Sequence, residues 1–207
     1  MTKERPILFS GPMVRAILAG QKTQTRRVIK PVKGFEHYNI CKPDMAADPW
    51  AVWWHGDVTD RVGCLQECQY GKPGNTLWVR EQLTRPDGDP WLFAADRQPV
   101  MVRRSDESEM VAWAHHKEQA YCPSIHMPRW ASRITLEVTG VRVERLNDIS
   151  SADAKAEGVT YSQAMEMQDS YPCAFRALWH TIHAADGPHG WAANSWVWVV
   201  EFKRVTQ

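Results

Sequence analysis

Apolar positions change period once within the first thirty residues. Met13, Val14, Ile17 and Leu18 recur at helical spacing. Ser10 suits a cap, Gly11-Pro12 a first turn and Gly20 a stop, so a helix is expected over residues 12–19. Gln21 to Ile29 follows, and the alternation Thr23, Thr25, Arg27, Ile29 has the period of an extended segment. Residues 31–75 mix Pro, Gly, His and Trp without period. They read as loop with at most a short hairpin, closing on the turn signal Tyr70-Gly71-Lys72-Pro73-Gly74-Asn75. Thr76 to Glu81 reads as a strand. Residues 84–90 are turn-like, Trp91 to Ala94 and Val100 to Arg103 read as paired short strands, and Ser105 to Gln119 is a polar helix or loop.

The second half is more regular. Ala131 to Thr139 sets Ile134, Leu136 and Val138 against Arg133, Thr135 and Glu137, a half-buried strand. Gly140 is expected to break it before Val141 to Leu146 alternates again. Ser150 and Ser151 cap a short helix through Glu157, ended by Gly158. Pro172 opens a helix carrying Phe175, Leu178, Trp179 and Ile182. The last strand, Ser195 to Val205, is apolar on both faces in its middle and should lie central in a sheet. Five to seven strands with two or three helices, and no regular βα alternation, argue for an α+β protein. The expected form is a small, mainly antiparallel barrel with helices outside it.

Composition narrows the classes. A chain of 207 residues suits one domain spanning 1–207. Formal net charge is +1, so bulk charge does not attract duplex nucleic acid and any such contact needs a local patch. The 11 Trp can pack in cores or stack on bases. Five scattered cysteines make no disulfide framework, and residues 1–30 hold no long apolar run. A cytoplasmic location and no membrane association are expected. Walker, dinucleotide and nucleophile-elbow glycine motifs are missing, which excludes the common NTPases, dehydrogenases and α/β-hydrolases.

The densest chemistry follows the first helix, at Lys22, Thr23, Thr25, Arg26 and Arg27. A partly desolvated lysine beside guanidinium groups becomes a usable proton acceptor, and a nearby threonine hydroxyl a nucleophile. A solvated basic turn is the competing reading. In the strand at 76–81, Arg80 shares a face with Trp78, and Glu81 points the other way. His126-Met127-Pro128-Arg129-Trp130-Ala131-Ser132-Arg133 reads as a rim for stacking and phosphate, or as a loop plugging the barrel end. Cys64 and Cys68, near His55, have a loose zinc spacing, but no second pair follows, so no metal is expected. His180 and His183 sit three apart on a helix and read as solvated. His115 and His116 carry no pattern.

The string Ile17 to Arg27 resembles the G-x-K-T-x-T-x-R signature of the ASCH family, within the PUA-like superfamily. Gly74 to Glu81 is similar to the family's G-D-x-L-x-V strand, with Asn75 where Asp is usual. Asp153 to Gly158 is similar to its short acid-bearing helix, and Trp198 to Phe202 to its closing strand. Pro6 to Leu18, Ser124 to Ile134 and Val141 to Leu146 look like ASCH proteins of phages and prophages. The resemblance implies a PUA-like barrel with long insertions at about 31–73 and 84–127, and no cofactor. Some ASCH proteins are amidohydrolases that deacetylate N4-acetylcytidine, which would make Lys22, Thr25 and Glu157 catalytic here. Arg26, Arg80, Glu81, Arg129, Trp130 and Arg133 would then bind the nucleoside or RNA substrate. Others are RNA-binding modules or ribonucleases, so a module reading RNA or a modified base, or a ribonuclease on the same cleft, is the alternative.

Overall fold

The last apolar run organises the molecule. In a computed structural model describing residues 4–33, 39–40, 48–55, 63–86, 90–101, 120–166, 170–185 and 187–205, strand β11 (Trp196–Val205) lies between β10 (Thr135–Arg145) and β2 (Gln24–Val28). It runs antiparallel to both. On its far side β10 pairs antiparallel with β6 (Thr76–Arg80), and β6 pairs in parallel with β1 (Glu4–Leu8). The order is β1-β6-β10-β11-β2.

Both faces of β11 are covered, as its sequence requires. Trp198, Val200 and Phe202 enter a core with Ile7, Phe9, Val14, Ile17, Leu136 and Val138. Val197 and Val199 face the opposite way, into a second core with Leu146, Ala154, Phe175 and Trp179. Each such side chain stabilises the fold by about 1.5–3 kcal/mol through apolar area withdrawn from water. Helix α1 (Gly11–Leu18) presses Met13, Val14 and Ile17 inward. Helices α2 (Ser151–Ala156) and α4 (Tyr171–Ile182) contribute to the second core, and α3 (Tyr161–Glu166) packs on α4. Ser150 and Asp153 close a capping box at the start of α2.

Several expectations change. Gly140 does not break its strand. It sits at a register shift inside β10, where a Cβ would lie 2.5 Å from Glu201 Oε2, so the glycine admits a close cross-strand carboxylate. Strand β1 and helix α3 go unseen in the sequence. β1 is an edge strand with Pro6 inside it, a place where a missing N–H costs no ladder bond. The loop expected at 31–75 contains β3 (Asn39–Ile40), β4 (Ala51–His55) and β5 (Gly63–Glu67), paired into a small sheet. A third sheet joins β7 (Leu83–Thr84) to β8 (Leu92–Phe93) and β9 (Tyr121–Cys122). β8 therefore pairs with β7, and Leu92 makes only an isolated bridge to Pro99. Ser105 to Gln119, His115, His116, Arg103 and Cys41 lie outside the described residues.

Among the described residues the ladder pairings form a row, with β1 and β2 at its edges. A side chain spans those edges: Arg27 Nη2, on β2, donates to the Leu8 carbonyl of β1 at 2.6 Å. The architecture is thus mixed α+β with a mostly antiparallel sheet whose edges approach one another.

Candidate functional site

The site begins where two helix ends meet strand β2. After α1, the Gln21 and Lys22 amides both donate to the Ala16 carbonyl. Lys22 then bridges Glu157, and Thr23 N–H donates to Ala156 O at 2.8 Å. Gly158 makes this approach feasible. Its φ is +92°, and a Cβ there would stand 3.2 Å from Lys22 Cβ and 3.1 Å from Ala16 Cβ. The glycine that terminates α2 therefore also seats the lysine.

The pair so formed is buried. Lys22 Nζ donates to Glu157 Oε2 at 2.7 Å and to the Glu157 carbonyl at 2.9 Å, with side-chain exposures of 0% and 3%. Burial pushes the Lys22 ammonium below the usual lysine range. Glu157 opposes that shift, and Arg27 and Arg26 add to it. Phe9 lies beneath, its ring centroid 5.7 Å from Nζ.

Arg26 extends the pair into a network. Its guanidinium is wholly buried, 2.8 Å from Glu144 and 3.5 Å from both Glu157 and Asp153. Arg142 ties Glu144, Asp153 and Glu201 together. Sequence reasoning named Lys22, Arg26 and Glu157 but missed Arg142, Glu144, Asp153 and Glu201. The available signal was alternation in β10, which puts Arg142 and Glu144 on one face.

Thr25 is buried on β2, and it lines a narrow cleft with Met13, Arg26, Arg27, Glu157 and residues of α4. His183, just past α4, lines the same cleft. Its ring stacks on Trp179 at 4.4 Å. Desolvation holds the His183 imidazole below its ordinary value, and the neighbouring charges of His189, Arg27 and Lys30 act the same way. The free volume of the cleft is about 10 Å³, room for about one water-sized group. A larger substrate requires α4 and the chain after it to shift.

The other six sequence candidates divide. Arg26 belongs to the network just described. Arg80 stacks on Trp78 at 4.6 Å and donates to the Ile125 carbonyl, while its buried Nε has no partner among the described residues. Glu81, 1% exposed, is gripped at both oxygens by Arg133, which also holds Asp96. Burial pushes the Glu81 carboxyl up against the opposing pull of Arg133. Arg129 makes a two-pronged pair with Glu4, half-exposed at the surface. Trp130 packs against the cluster of Leu83, Trp91, Phe93 and Met127. Phe9 links the two groups: its N–H donates to Arg80 O, and its ring faces Lys22 and Arg27.

Cys64 is half-buried, and Cys68 is buried with its thiol pushed up to about 11 by desolvation. Among the described residues no three His, Cys, Asp or Glu side chains are arranged to hold a metal ion. No helix among them is long and apolar enough to cross a membrane.

No family model matches the chain, and no curated protein matches it. Two solved structures are similar to it. One is a protein of Enterococcus faecalis V583 assigned to the DUF984 family model, with 11% identity, a TM-score of 0.35, and coverage of 99% of this chain and 81% of that one. The other is an ASCH domain of Lactobacillus crispatus JV V101, with 10% identity, a TM-score of 0.38, and coverage of 98% and 79%. The second carries the family name that the Ile17-to-Arg27 motif resembles; superpositions this loose say nothing of site or activity.

Proposed function

We propose that the chain is an ASCH-type, PUA-like protein that hydrolyses an amide on an acylated nucleoside or nucleobase, of the N4-acetylcytidine kind. The observation that carries this reading is the buried contact of Lys22 Nζ with Glu157 Oε2, beside a cleft that Glu157 and Thr25 both line.

The chemistry assigns each group one task. Thr25 Oγ1 attacks the acyl carbon, and its proton passes to the Lys22 amine, which burial biases toward the neutral form. Arg26 and the lysine, once charged, stabilise the oxyanion. Collapse breaks the C–N bond, and Lys22 hands the proton it took from the threonine to the departing amine. Glu157 then directs water at the threonyl ester, which releases carboxylate and restores the hydroxyl. His183, whose imidazole is biased toward the neutral form by desolvation, offers a further acceptor for the water proton.

A second reading keeps the fold and drops the reaction: a module that binds RNA or a modified base. The cleft's small free volume favours it. Against it, Arg129 and Arg133 already face carboxylates, which weakens them as a phosphate-holding rim. A ribonuclease on the same cleft would, like the amidohydrolase, need α4 and the chain after it to shift to admit its substrate.

The test is release of cytidine from N4-acetylcytidine, followed by chromatography. Thr25→Val keeps the side-chain volume and removes the nucleophile, so turnover should fall about a thousandfold or more. A folded wild type with no turnover would sink the amidohydrolase and leave the binding module.

A further inference from the structure

A second hollow, unused by this chemistry, lies between the β4–β5 pair and the turn at 71–75. Its volume is about 310 Å³, at the lower end of ligand pockets. Arg5, Trp50, Glu67, Lys72 and Asn75 line it, with Cys68 and Gly71 as floor.

The walls are fixed by backbone. Cys68 N–H donates to Trp50 O at 2.7 Å, which pins the tryptophan to the end of β5. Gly71, with φ +98°, closes the turn where a Cβ would lie 2.5 Å from Asn75 Oδ1. Gly74 N–H and Asn75 O bond Val138 on β10, so the turn is anchored to the main sheet. Trp50 rests one side on the main core, and Lys72 Nζ stands 5.6 Å from its ring centroid. Arg5 is held by Nη1 donating to the Cys68 and Gln69 carbonyls at 2.9 Å.

Among the described residues neither Arg5, Lys72 nor Glu67 forms an ion pair. Two cations and one carboxylate thus surround an aromatic plate. That is unlike the Lys22 network, where every cation meets a carboxylate. We propose that this hollow binds one nucleotide, its base stacked on Trp50 and its phosphate held by Lys72 and Arg5. The ammonium now over the indole yields that face to the base and turns to the phosphate. Glu67 and the Asn75 amide meet the polar edge of the base. The source is either a free nucleotide or one unit of a single strand, since both present the same plane and anion.

The proposal is independent of the hydrolytic reading, and its test reads binding alone. Cytidine 5′-monophosphate is titrated calorimetrically, and a labelled single-stranded RNA of about eight nucleotides by anisotropy at two salt concentrations. Trp50→Leu and Lys72→Glu should each weaken binding about tenfold or more, and Lys72→Glu should lower the salt slope by about one. Arg176→Glu, an equal charge change on the exposed side of α4, should bind as wild type does. Monophosphate binding lost in the two variants assigns a free nucleotide, and loss confined to RNA assigns a unit of a strand. Lys72 is exposed, so Lys72→Glu leaves the fold intact and keeps the result readable if Trp50→Leu is unstable. No binding of either probe by wild type, binding untouched by both variants, or equal weakening by Arg176→Glu would overturn it.

Discussion

Two ion pairs with the same chemistry sit in opposite surroundings. Lys22–Glu157 is sealed, at 0% and 3% side-chain exposure, whereas Arg129–Glu4 is open, at 41% and 39%. Water screens the second pair, and loss of either partner leaves the other hydrated. In the first pair, loss of one partner strands a charge in a dry interior. Burial of two charges is a poor route to stability, since an apolar pair of similar volume does as well or better. A site that keeps them buried, beside a hydroxyl and a cleft, is more simply explained by chemistry than by stability.

The largest expected effect follows from that contrast. Lys22→Ala or Glu157→Ala should lower unfolding free energy by about 3–5 kcal/mol in urea, and Lys22→Met with Glu157→Leu should recover most of it. If Lys22→Ala costs no more than Arg129→Ala, the contrast is broken. Arg133→Ala is intermediate, because it strands the buried Glu81 carboxylate; a loss of about 2–3 kcal/mol is expected, with Glu81 becoming protonated at higher pH than in wild type. Arg129→Ala should cost about 1 kcal/mol or less, and that little should fade in high salt.

The smallest effect is a pH dependence. His183 is held below its ordinary value in the folded chain, first by desolvation and then by the charges of His189, Arg27 and Lys30. The unfolded chain therefore binds the proton more readily. Stability from this group is fully present above the ordinary imidazole value of 6.5 and is lost as pH falls through the folded value. Unfolding midpoints should drop on acidification across that window, and drop less in His183→Phe. An equal drop in both proteins would remove His183 from the account.

The same contrast of buried and open explains what the sequence disclosed. Where one face or both had to be apolar, the pattern was legible: α1, β10, α4 and above all β11, whose Trp198 and Val199 serve opposite cores. Lys22, Arg26 and Glu157 were legible through the motif between Gly20 and Arg27 and the short capped helix before Gly158. Arg142 and Glu144 looked like the wet face of a half-buried strand, because alternation cannot distinguish solvent from a polar network. β1 was hidden by Pro6, which only an edge position tolerates. The β3–β4–β5 sheet was hidden because its short strands carry mixed residues without a regular period, although each strand pairs with the next one along the chain. Gly140 misled as a break, since a glycine needed for a close cross-strand approach reads the same as a stop.

The central claim is that Thr25 carries the acyl group between Lys22 and Glu157. The most direct measurement is mass spectrometry of the Thr25 peptide after rapid acid quench of Glu157→Gln mixed with N4-acetylcytidine. An acetyl group on Thr25, absent in Thr25→Val, is the predicted result, because the ester forms and its hydrolysis is slowed. Turnover by wild type with no acetyl group on Thr25 in any variant would contradict it.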